Sequence, residues 1–164
     1  MKRSVLASLL LLLVLAPATA LAARAQRSLG PEIGFSSDPS QVVFGAHLCF
    51  GGGASHLDFV PGVDVGLGDN VTLTALNGDF HYRFKVSGAT WQPYAGAGVS
   101  LYSASYNGPF GDAFGGSSTF GGGNLIVGAD IPTDRGSSFS VEARLALGDG
   151  PSFRLMGAWN FPIR

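Results

Sequence analysis

The sequence has 164 residues and a formal net charge of −1 at pH 7; it is 46% hydrophobic but only 13% charged, and it contains 25 glycines. About 25% charged residues is usual for a water-soluble domain, so this chain offers little for water to solvate, and the lack of a basic excess excludes a nucleic-acid partner. Cys49 is the single cysteine, which excludes an intramolecular disulfide framework.

The chain opens "MKRSVLASLLLLLVLAPATALAARAQ", where Lys2 and Arg3 precede an apolar run from Leu9 to Ala16 and then small residues. That layout predicts a secretory signal peptide over 1–25, cleaved after Ala22 or Ala25, and one domain over 26–164. The run is too short for a spanning helix, which needs about 20 apolar residues. Beyond it, eight segments alternate with period two between turn-forming residues. They are "EIGFSS" (32–37), "QVVFGAHLCF" (41–50), "FVPGVDVGLG" (59–68), "VTLTALNGDFHYRFK" (71–85), "QPYAGAGVSLYS" (92–103), "TFGGGNLIVGADI" (119–131), "SFSVEARLAL" (138–147) and "SFRLMGAWNF" (152–161). Most approach the roughly 9–11 residues of a tilted membrane-crossing strand. Asn77-Gly78 would ordinarily mark a hairpin turn; splitting there leaves two pieces too short to span, so one strand is expected. The connections are tight except for a Gly/Ser-rich loop over 104–118, which carries Tyr106, Phe110, Asp112 and Phe114.

The two faces of these strands differ sharply. One parity collects Val, Leu, Ile, Ala and aromatic residues without a charge, with Phe59, Phe84, Trp91, Phe139, Phe153, Trp159 and Phe161 toward strand ends, as interfacial girdles are. The other collects Glu32, His47, Asp64, Asp79, His81, Arg83, Asp130, Glu142, Arg144 and Arg154, spaced by glycines and serines. Glycine weakens a solvated strand face and gains nothing there. Inside a closed eight-stranded ring, where room is scarce, small residues must alternate with a few long ones. The acids, arginines and histidines of that parity can pair, as buried charges must. The expected fold is therefore an all-β, eight-stranded transmembrane barrel with a filled polar lumen. A soluble lipocalin-like barrel binding a small apolar ligand is the alternative, with the faces reversed; a narrow gated pore is a second.

No G-x-S-x-G elbow is present, and the three histidines stand with no nucleophile and base at workable spacing, so no catalytic residues are expected. His47 and Cys49 share the inward face, but no second ligand pair accompanies them. No metal or cofactor is expected.

The stretches "DFHYRFK", "WQPYAGAGVSLY", "NLIVGADI" and "FRLMGAWNF" resemble the small eight-stranded outer-membrane β-barrels of Gram-negative bacteria, the OmpA-type and OmpX-type group. The resemblance spans the chain beyond the leader. It implies an antiparallel up-and-down barrel in the outer membrane with both termini periplasmic, contacting outer-membrane lipid and inserted by the barrel assembly machinery. It also puts the 104–118 loop on the cell surface, where it could take an extracellular ligand. Members typically end in an aromatic residue that the assembly machinery reads; here Arg164 follows Trp159, Phe161 and Ile163.

Overall fold

The computed structural model describes residues 26–51, 56–69, 71–106, 118–133 and 136–163. They form β1 (Gln26–Ser37), β2 (Gln41–Gly51), β3 (Leu57–Leu67), β4 (Val71–Arg83), β5 (Gln92–Tyr106), β6 (Ser118–Pro132), β7 (Ser138–Gly148) and β8 (Phe153–Ile163). Each strand pairs antiparallel with its sequence neighbours, and β8 returns to β1, so the sheet closes without an edge. Closure removes the free sheet edge, whose unpaired backbone groups could not be left in hydrocarbon.

Following partners once around the ring shows the stagger. Arg27 faces Phe50, then Phe59, Phe80, Ala97, Leu125, Leu145 and Phe153, and the path returns to β1 at Ser37. The ten-residue advance is what tilts the strands against the barrel axis. The four connections β1–β2, β3–β4, β5–β6 and β7–β8 lie at one end, and the start of β1 and the end of β8 lie at the other.

Alternation then sorts the side chains. Val127, Leu76 and Leu101 stand outward at 59%, 58% and 57% exposure, within a belt that also holds Phe35, Phe44, Val99, Leu125, Leu145 and Trp159. Asp79, Asn124 and Arg144 stand inward at 0%, 1% and 4%. A water-soluble barrel would bury the first set, so the lipocalin-like alternative is overturned: the apolar face is the outer one, and the chain is a transmembrane barrel.

Several expected boundaries move. β1 and β3 begin earlier than expected, at Gln26 and Leu57. The long connection shrinks to 107–117, because Ala104, Ser105 and Tyr106 stay on the ladder against Leu73, Thr72 and Val71. Small residues carry too little apolar contrast to reveal a strand, while backbone pairing holds them in it. Asn77-Gly78 lies inside β4, paired with Gly62 and Pro61 of β3, so the strand is continuous. Phe59 differs from the other girdle aromatics: it is buried, tilted against Phe80 with ring centroids 5.1 Å apart. Turns at Gly88 and Gly148 use φ of 80° and 94°, left-handed backbone that glycine adopts without strain. The expected leader over 1–25, Phe110, Asp112, Phe114 and Arg164 lie outside the described residues, and Tyr106 is placed only by its backbone pairing.

Val127→Arg sets a cation in the outer belt. In lipid vesicles it should lower unfolding stability by about 2–4 kcal/mol where the residue sits near the midplane, read as a shift of the denaturant midpoint against Thr119→Arg toward the strand end.

Candidate functional site in the barrel lumen

All ten charged and histidine residues expected inward are in the lumen. Nearest the termini, Arg83 reaches Asp58 through Nε and Asp130 through Nη1, with Nη2 3.7 Å from Cys49 Sγ and the guanidinium over the Tyr94 ring. Beside it, His47 bridges Glu32 Oε2 at 3.1 Å and Asn160 Oδ1 at 2.9 Å. The Asn160 amide donates in turn to Ser140 Oγ at 2.6 Å.

Deeper in, Arg144 donates to Glu142 through Nε and to Asp79 Oδ2 through Nη1 at 2.8 Å. The Tyr94 hydroxyl donates to Glu142 Oε2 at 2.8 Å, and His81 stacks on the Tyr94 ring at 4.7 Å. These groups come from β4, β5 and β7, so the ties cross the lumen rather than follow one hairpin.

Toward the loop end, hydrogen bonds close into a ring. Arg154 donates to the Tyr102 hydroxyl at 3.2 Å, which donates to Asn124 Oδ1 at 3.4 Å. Asn124 donates to Ser100 Oγ at 2.6 Å, and Ser100 donates to Asn77 Oδ1 at 2.6 Å. Asn77 donates to Asp64 Oδ2 at 2.6 Å, which also accepts from Arg154 at 2.9 Å. Five strands contribute to this circuit. Beyond it, Leu73, Ala75, Tyr102 and Ala104 form an apolar cluster backed by Val71 and Phe120.

The lumen is thus unevenly filled. Its loop-end half is packed, whereas the terminal half keeps a cavity of about 290 Å³ bounded by Glu32, His47, Arg83, Tyr94, Glu142 and Arg144 among others. Among the described residues no cluster of three or more His, Cys, Asp or Glu is arranged to hold a metal. His56 lies outside the lumen, its ring 5.8 Å from Tyr82.

Asp58, Tyr94, Tyr102, Asn77, Asn124 and Asn160 are members that the sequence reading missed. Asp58 lies one position before the expected start of β3, and its even number there puts it on the inward parity. The two tyrosines sit at inward positions of β5, where aromaticity alone suggests lipid contact; parity was the signal that marks them.

Glycine makes these contacts fit. A Cβ at Gly98 would land on the Asp79 carboxylate, and one at Gly128 on the Tyr94 ring. Gly98→Ala should therefore cost about 1–3 kcal/mol by overpacking, seen as a lower urea midpoint, although alanine is the better strand residue. Arg144→Leu should cost more, about 3–5 kcal/mol, because Glu142 and Asp79 lose their cation while buried. An unchanged midpoint for that variant would mean the two acids are compensated elsewhere.

No protein-family model matches the chain, and no curated protein matches it. Solved structures do. The N-terminal β-barrel domain of Pseudomonas aeruginosa OprF superposes with a TM-score of 0.61 at 13% identity, over 84% of this chain and 100% of that one. A chain from the de novo design of transmembrane β-barrels gives 0.60 at 13% identity, over 85% and 96%. Neisserial surface protein A gives 0.54 at 15% identity, over 83% and 92%. At such identities the likeness is one of architecture: the chain has the fold of the small eight-stranded outer-membrane β-barrels, the OmpA-type and OmpX-type group.

Proposed function

We propose that the protein is a resident of the outer membrane with a structural or surface-interaction role and no catalysis. The observation that carries this reading is the exchange of faces. The outer wall is a continuous apolar belt suited to lipid, and the polar groups that could do chemistry are turned inward, where they are largely consumed by one another. Outer-membrane lipid is the constant partner, and the barrel assembly machinery is the transient one during insertion. An extracellular ligand would meet the β5–β6 connection, the longest in the chain, with Phe110, Asp112 and Phe114 on it.

The gated-pore reading is less well supported. An open path would have to break the Arg144 pairs and the hydrogen-bonded circuit around Arg154, and the apolar cluster at Leu73 and Ala104 lies beyond both. Eight strands leave an interior that side chains just fill.

Two measurements test the proposal. Unboiled protein from the outer-membrane fraction should migrate differently from boiled protein on a detergent gel, as a folded barrel does; recovery in the soluble fraction without a shift would overturn the location. In planar bilayers the reconstituted barrel should show no stable conductance steps, and regular steps in most insertions would favour the pore.

A further inference from the structure

Glu32 on β1 and Asp64 on β3 belong to strands that do not touch, yet their carboxyl groups meet. Between them lies β2, and the residue at that position is Gly45, which pairs with Glu32 on one side and Asp64 on the other. A Cβ at Gly45 would land on Asp64 Oδ1 and stand 2.9 Å from Glu32 Oε1 and 2.8 Å from the Val63 carbonyl. The missing side chain is thus the opening through which the two acids approach, over the top of the intervening strand.

Each acid has one oxygen already engaged. Glu32 Oε2 faces His47 Nδ1 at 3.1 Å, and Asp64 Oδ2 accepts from Asn77 at 2.6 Å and Arg154 at 2.9 Å. The remaining oxygens, Glu32 Oε1 and Asp64 Oδ1, are both buried and accept a hydrogen bond from no group among the described residues. Both oxygens stand within 2.9 Å of the one point that a Gly45 Cβ would occupy, so they face each other across it. Two ionised carboxylates are acceptors only and cannot hydrogen-bond to each other. In a buried setting, like charges this close do not both persist.

The other charged groups around the gap are directed elsewhere. From β7, Arg144 turns to Glu142 and to Asp79 of β4. From β8, Arg154 turns to the far oxygen of Asp64 and to Tyr102 of β5. From β2, His47 is held by Glu32 Oε2 and Asn160. On β6, Asp130 is taken by Arg83 of β4. We infer that Glu32 and Asp64 form a proton-binding site: one proton is held between Glu32 Oε1 and Asp64 Oδ1, making an acid–carboxylate bridge that ties β1 to β3 across Gly45. The proton comes from water, no covalent bond between heavy atoms changes, and the pair carries one negative charge instead of two.

The test is infrared spectroscopy of the folded full chain in lipid vesicles, in H2O and D2O. The wild type should show the C=O stretch of a protonated carboxyl group, displaced on deuteration. Glu32→Gln and Asp64→Asn should each lose that band. Either amide places an N–H where the proton was, so both should keep the heat-modifiable folded form; if one fails to fold, the other reads the site alone. Gly45→Ala, which blocks the approach, should lose the band while leaving both acids in place. Absence of the band from folded wild type, or its survival in a folded amide variant, overturns the proposal. A band that emerges only after chelation would mean that a metal cation occupies the gap, and that outcome overturns it as well.

Discussion

Everything in this barrel follows from how little room eight strands enclose. The ring must bury charged residues, because the outer wall is given over to lipid, and it must do so in a space that side chains can barely share. The register resolves the conflict locally. Asp64 lies beside Gly45, Asp79 beside Gly98, His81 beside Gly96 and Tyr94 beside Gly128, so each large inward group projects over a neighbour that has no side chain. The abundance of glycine is therefore a packing device, and its effect depends on strand pairing that places the small residue opposite the large one.

With space made, the charges can be brought together across the lumen. Arg144 joins acids on β4 and β7, Arg83 joins acids on β3 and β6, and Arg154 joins β3 to the tyrosine of β5. A desolvated ion needs such partners to be tolerated, and because the partners lie on strands distant in sequence, the same contacts favour the closed ring over an open sheet. The apolar exterior needs no such specificity, since any hydrocarbon-like side chain satisfies lipid.

The fold was legible in the sequence because parity is a local property. Phe139, Val141, Ala143, Leu145 and Leu147 alternate with Ser138, Ser140, Glu142, Arg144 and Ala146 whatever surrounds them, and the glycine-rich composition of the second face indicates which side is enclosed. Pairing was not legible. That Arg144 meets Asp79, or Arg154 meets Asp64, depends on a stagger accumulated over several ladders, to which no single segment testifies. The strand ends failed for a different reason: Ala104 and Ser105 have almost no hydrophobic contrast, and Asp58 falls one residue outside the apolar run that marks β3. The terminal-side cavity had no sequence signal, since it arises where inward residues turn aside to bond one another instead of filling the axis.

That cavity makes the barrel electrically lopsided. Its 290 Å³ admit about ten water molecules at bulk density, which would carry a high dielectric inward as far as the Arg144 layer. The insulating part of the wall then shrinks to the stretch between Arg144 and the Leu73–Ala104 cluster. Any potential across the membrane would then fall mainly over this shortened distance, which holds Arg154, Asp64 and Asn124, where dipoles and charges are already locked in a closed circuit.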